Sequence, residues 1–273
     1  MAAAFSLRAA SAGSKGLPSM LNMLAAPAFR FLPAVLCLAF ISCAPRVAVP
    51  QKSSIPLQAV VVRTADWNAS DASLQRYDRK DAQAPWKAAG GTVPAVVGRK
   101  GLGWGKGIHP RSSYDGPEKT EGDEKAPAGM FLLGSAFGYA PIDEVGWIKL
   151  PYRQSNAHTQ CVDDPRSPYY NRLVDTTRVT PAWQNHEKML RQDDMYRLGV
   201  VVDHNTDPTV AGAGSCIFLH IWRGPSTATA GCTAMAAGQL EKLLRWLDAN
   251  AMPILVQLPE AEYLRFRTLW HLP

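Results

Sequence analysis

A histidine closes an apolar run, Ile217-Phe218-Leu219-His220, and a glycine-preceded cysteine follows it in Thr229-Ala230-Gly231-Cys232. A thiol attacks as its thiolate, so it needs a base or a positive charge beside it. An imidazole on a strand and a cysteine at the following turn supply that pair, with Cys232 as nucleophile and His220 as general base. A helix starting near Thr233 would add a favourable dipole at the sulfur. The N–H groups of Gly231 and Cys232 would form an oxyanion hole, and Gly231 leaves room for close approach. The chemistry that fits is acyl transfer through a thioester. Either residue alone reads more simply, Cys232 as a small buried hydrophobe and His220 as a hydrogen-bonded core histidine.

Chain order narrows the class. Papain-like enzymes place Cys well before His, and the Gln-Ala-Cys signature of caspases is absent. Sortases separate the two far more widely. Arg223, just after the His-bearing strand, could grip a substrate carboxylate in bidentate fashion or simply be solvated. The segment from Cys161 to Asp175, CVDDPRSPYYNRLVD, is a long polar loop for a compact domain. Its Asp163, Asp164, Tyr170 and Asn171 either stabilise the loop or line the site. His204 ends a strand and reads as structural before site-lining. Cys216 reads as plain packing, and whether Cys161 pairs with it stays open.

The elements that must position these residues are mostly short strands. Gln58–Arg63, Leu74–Arg79, Pro94–Gly98, Gly199–Val202, Ile217–Trp222 and Pro253–Leu258 are β-branched or alternating runs. Leu240, Leu243, Leu244 and Leu247 lie at helical spacing, and a short helix is expected from Pro259 and another around 182–192. The glycine-rich stretch 98–107 reads as loop. With 21 Gly and 21 Pro spread along the chain, turns are frequent. The expectation is one mostly-β domain over 57–273, a β-sandwich or barrel with a few short helices.

Hydrophobic residues make up 47% and charged residues 19% of the 273, ordinary for a globular core. The net charge of +6 is concentrated at the start: residues 1–42 hold Arg8, Lys15 and Arg30 and no acid. Without those three, 26 of the 29 basic residues face 23 acidic ones. That weak, dispersed excess gives no basis for nucleic-acid binding. No CxxC or HxH spacing occurs, so neither a metal site nor a cofactor is implied.

Residues 1–42 read as a signal peptide, with Arg30 before the apolar Phe31–Ile41 and small residues after it. Phe40-Ile41-Ser42-Cys43 has the form of a lipobox, which would lipidate Cys43 and attach the protein to a membrane. A signal cut near Ala44 or Ala48 without lipid is the alternative, and Met20 or Met23 could be the true start. Residues 43–56 form a linker. The expected location is exported and periplasmic.

Taken together, His220, the Thr-x-Gly-Cys turn and Gly212-Ala213-Gly214-Ser215 before the strand resemble the L,D-transpeptidase catalytic domain (YkuD-like). APAGMF (126–131), LGSAFGYAP (133–141), VDDPRSPYYNRLVD (162–175) and DMYRLGVVVDHN (194–205) extend the likeness as an ordered set. The resemblance implies a mostly-β fold in which Cys232 attacks a carbonyl of a peptidoglycan stem peptide, with His220 as base. Terminal D-alanine is released, and the acyl group passes to an amine or to water. Thr229 and Gly231 would shape the turn and its oxyanion donors. Ala230 stands where the commoner pattern has His, and Thr233-Ala234 follow the cysteine where Arg or Asn is usual. The absent His is not the base. A cysteine hydrolase (carboxypeptidase or amidase) on the same scaffold, or an inactive wall-binding module, are the alternative readings.

Overall fold

The computed structural model describes residues 53–110 and 114–273, all within the compact unit Val49–Pro273. The segment read as a signal peptide, Cys43 and most of the expected linker lie outside the described residues. Among the described residues fourteen strands follow in chain order, beginning with β1 Gln58–Thr64, β2 Asp71–Asp78, β3 Lys87–Ala88, β4 Val93–Val96, β5 Leu102–Trp104, β6 Ala126–Gly138 and β7 Tyr152–Gln154. The second half holds β8 Thr159–Val162, β9 Arg172–Asp175, β10 His186–Lys188, β11 Leu198–Val202, β12 Phe218–Ile221, β13 Thr233–Met235 and β14 Ile254–Pro259. Helix α1 spans Ala237–Trp246 and α2 Glu260–Phe266.

Eight of the strands close into a barrel in the order β1-β14-β6-β11-β12-β13-β4-β2, with β2 pairing back onto β1. Closure removes the exposed strand edges that an open sheet would present. The Val60-Val61-Val62 run of β1 is buried on both faces because β1 has the barrel interior on one side and α2 on the other. β14 (ILVQLP) is buried throughout and pairs parallel with β1, Ala59 opposite Ile254. Its buried Gln257 is satisfied from both ends, donating to the Pro127 carbonyl at 2.8 Å and accepting from the Thr233 hydroxyl at 2.6 Å. α1 buries Leu240, Leu243 and Leu244 as its leucine spacing requires. Each such burial is worth about 1.5–3 kcal/mol. Among the described residues, no helix is long and apolar enough to cross a membrane.

Three local expectations fail. The stretch 98–107 is not all loop, since β5 pairs with β6 there. No helix forms around 182–192; that segment supplies β10, the edge of a small separate sheet ordered β10-β8-β9. The helix expected near Thr233 starts at Ala237, and Thr233–Met235 is instead β13, buried between β12 and β4. Three buried positions in a row favour a strand squeezed into the barrel wall over a helix start.

Cys161 of β8 is disulfide-bonded to Cys216, which settles the open pairing and corrects the reading of Cys216 as mere packing. The bond ties the small sheet to the approach of β12 across a sequence separation of 55. A cross-link over a loop of that length stabilises by about 2–4 kcal/mol. Replacing both cysteines by serine should therefore lower the urea-unfolding free energy by about that amount. A loss under about 1 kcal/mol would mean the small sheet is held by packing alone.

Candidate active site

β12 and the turn before β13 bring the two predicted residues to one place. His220 lies on β12 opposite Gly199 of β11. Glycine is required there: a Cβ would come within 2.3 Å of the Phe137 ring. That ring packs edge-on against Phe218 and Tyr196, and Tyr196 in turn meets the His220 ring edge-on at 5.2 Å. The turn is closed by Thr229, whose hydroxyl donates to the Cys232 carbonyl at 2.6 Å and accepts from the Gly231 N–H at 3.1 Å. Gly231 is crowded by the Lys125 carbonyl, 3.1 Å from where a Cβ would stand. Thr229 and Gly231 thus shape the turn as expected, but the Gly231 N–H is already spent on Thr229. The Ala230 and Cys232 N–H groups are the backbone donors left at this turn, and β13 provides no helix dipole behind them.

Cys232 is the free cysteine among the described residues, and it is buried. Its sulfur accepts the Phe218 N–H at 3.4 Å and donates to the Cys216 carbonyl at 3.5 Å. The Nδ1 of His220 lies 2.8 Å from the Ile221 carbonyl. A carbonyl only accepts, so Nδ1 carries the proton and Nε2 keeps its lone pair. Burial lowers the His220 pKa to about 4, leaving a neutral ring at pH 7. Burial also pushes the Cys232 thiol well up, and the Glu187 carboxylate pushes it further. The resting pair is therefore neutral thiol and neutral imidazole, with the thiol proton turned to Cys216 rather than to His220.

Both side chains line a cavity of about 590 Å³, together with Arg223 and Asp163. Its other walls carry Lys119, Glu121, Glu187, Arg191 and Tyr196. Glu121 accepts from the Ser215 hydroxyl at 2.7 Å and from the Tyr170 hydroxyl. Glu187 accepts from the Tyr196 hydroxyl. The carboxyls of Asp163 and Glu187 are both raised, first by burial; Glu121 adds to the shift at Asp163, and Tyr196 opposes that at Glu187.

Four predicted residues stand elsewhere. Asp164 holds its own loop, accepting from the N–H of Gln184 at 2.9 Å and from Arg166. Tyr170 acts only through Glu121. Asn171, at positive φ, donates to the His204 and Asn205 carbonyls and accepts the Cys216 N–H at 2.9 Å, so it is a loop clip. His204 is buried between the Lys106 N–H and the Ala213 carbonyl and does not reach the cavity. Short polar side chains in a tight loop satisfy backbone groups first, which is why these readings fall to the structural side. The sequence reading passed over Glu121, Glu187 and Tyr196. Glu187 and Glu121 stand in stretches without apolar periodicity, and Tyr196 in a run that drew notice only as a block.

No family model, curated protein or solved structure matches this chain. The site must be read from its own geometry. Among the described residues no group of side chains could hold a metal ion.

Two outcomes follow from the buried neutral pair. Iodoacetamide at pH 7.5 should alkylate Cys232 at least about tenfold more slowly than a free peptide cysteine, as followed by intact-protein mass. Labelling at the free-peptide rate would contradict the burial. His220 and His204 are both lowered to about 4 from 6.5, so unfolding takes up protons between those values. The histidine share of the stability is then full above about pH 6.5 and falls as pH drops toward 4, while Asp203, raised to about 6 by burial, and the raised carboxyls of Asp163 and Glu187 act with the opposite sign over the same window. The histidine share is read by difference: from pH 7 to pH 4 the urea midpoint of the wild type should fall further than that of His220→Gln, and equal falls would refute the assignment.

Proposed function

We propose that this chain is a cysteine acyltransferase of the L,D-transpeptidase kind, acting on peptidoglycan stem peptides. The observation that carries the reading is the meeting of the free thiol and an imidazole with an unprotonated Nε2 in one cavity. The closed barrel with few helices agrees with the fold that the resemblance implies.

The steps follow from the protonation states. The Cys232 sulfur turns from the Cys216 carbonyl and attacks the substrate carbonyl while its proton passes to His220 Nε2. Because both groups start neutral, charge develops only as the carbon–sulfur bond forms, and the Ile221 carbonyl stabilises the imidazolium through Nδ1–H. The Cys232 N–H faces the developing oxyanion. Collapse expels the amine of terminal D-alanine, which takes the proton from His220 and leaves a thioester on Cys232. An incoming amine, or water, then attacks the thioester, gives its proton to His220 and restores the thiol. The buried, proton-bearing thiol favours one rival, a wall-binding module without turnover.

Intact-protein mass spectrometry on the full chain with tetrapeptide muropeptides separates the two. The wild type should gain the donor mass less D-alanine or release D-alanine into solution. Cys232→Ala should do neither, and His220→Ala should slow the reaction by about 10²–10⁴-fold. Binding without adduct or D-alanine in the wild type would leave the binding module, and turnover by Cys232→Ala would remove Cys232 from the reaction.

A further inference from the structure

The Cys161–Cys216 disulfide stands between two cavities. Cys216 and Ile217 line the cavity of about 590 Å³ that holds Cys232 and His220, and they also line a second one of about 380 Å³. Cys161 borders the second cavity and not the first, beside Leu173, Arg153 and Thr206. Both bonded cysteines are almost wholly buried, Cys161 2% and Cys216 3% exposed, so a reagent meets their sulfurs from a cavity or not at all. The bond also fixes what keeps the Cys232 thiol protonated. At one end, the Cys216 carbonyl accepts that thiol at 3.5 Å, and Cys216 is held at φ 55° with its N–H on Asn171. At the other end, Glu187 stands directly opposite Cys161 in the pairing of β10 with β8, and its carboxylate opposes thiolate formation at Cys232. All three sulfurs belong to one buried cluster.

We propose that the Cys161–Cys216 bond is a redox latch on Cys232: a dithiol reductant entering the second cavity opens it, and opening raises the reactivity of the Cys232 thiol. This rests on the reading of Cys232 as the reacting thiol, and not on the substrate proposed for it. A thiolate of the reductant attacks the Cys161 sulfur, the S–S bond breaks, and Cys216 leaves as thiolate and takes up a proton. The second thiol of the reductant then attacks the mixed disulfide, closes its own disulfide and releases Cys161 as a thiol. The reductant loses two electrons and two protons, and the two cysteines gain them. Cys216 is then free to leave its left-handed conformation, which draws its carbonyl from the Cys232 thiol. The small sheet is free to move Glu187 from the sulfur, and a thiol that regains water ionises more readily. The barrel stays closed, because the bond joins β8 to the approach of β12 and links no two barrel strands.

Dithiothreitol, a small dithiol, is the probe, applied to the full-length oxidised protein at pH 7.5 without denaturant and then removed. Iodoacetamide labelling is followed peptide by peptide in the mass spectrometer, so that Cys232 is scored apart from Cys161 and Cys216. Near-ultraviolet circular dichroism reports whether the packed fold persists. The bond should open in the folded protein, and Cys232 should then label at least about tenfold faster than before reduction. The double variant Cys161→Ala, Cys216→Ala should label Cys232 at the faster rate with no reductant present. A bond that opens only when urea is added would overturn the latch. So would a Cys232 rate that stays within about twofold of the oxidised protein's in either preparation. Loss of the near-ultraviolet spectrum on reduction would overturn it too, since faster labelling would then be plain unfolding. None of these readouts involves a muropeptide, so a failed latch leaves acyl transfer to its own test, and failed acyl transfer leaves the labelling result in place.

Discussion

Cys161 sits on the small three-stranded sheet and Cys216 on the approach to the barrel strand that carries His220, and the bond between them joins two parts that share little else covalently. A sheet of three short strands has little core of its own. It borrows the barrel's: Met189 and Tyr196 pack with Phe137, Phe218 and the three cysteines in one buried cluster. Cys216 reaches its partner in a left-handed backbone conformation, φ 55°, that a non-glycine residue adopts at a cost of roughly 1–3 kcal/mol. The disulfide and the Asn171 side chain, which accepts the Cys216 N–H, hold it there. Without that anchorage Asp163 and Glu187 would have no fixed place opposite the thiol.

The burial that closes the barrel also sets the protonation state of Cys232 and His220. Desolvation disfavours a charged imidazole and a charged thiolate alike, so it moves the two pKa values in opposite directions and keeps the proton on sulfur. An exposed pair would be spared this penalty and would lie nearer the thiolate–imidazolium form, with the proton still mainly on sulfur. Here Glu187 adds a negative charge near the sulfur and deepens the neutral state. Tyr196 links these effects, because its hydroxyl binds Glu187 while its ring edge rests on His220.

The fold was legible where apolar patterning is strong. The valines of β1, the run of β14 and the leucines of α1 bury the faces their spacing predicts, because burial alone decides their structure. Cys232 and His220 drew notice for a different reason: a glycine-preceded cysteine soon after a histidine in an apolar strand is a pattern of types and spacing, independent of burial, and the structure lines one cavity with both. The short segments were not. Thr233–Met235 could continue into α1 by local propensity, and only the neighbours β12 and β4 draw it into the barrel wall. His186–Lys188 carries no strand signal and pairs because β8 offers it an edge. His204, read as structural first, and Asn171, read as either a loop clip or a site residue, both go to a loop rich in unpaired backbone groups.

The division of labour within the cavity follows from these two origins. The turn that presents the sulfur offers a substrate little polar contact, since Ala230 is apolar and Thr229 is bound to its own backbone. Polar recognition must then come from across the cavity, and the groups standing there are carboxylates on a sheet that the barrel does not need for closure. Such a sheet can change its side chains without disturbing the strands that hold His220 and Cys232. On the proposed reading, the thiol and imidazole on the barrel wall and the carboxylates on the tethered sheet are separable parts of one cavity, with the Cys161–Cys216 bond keeping the two in register.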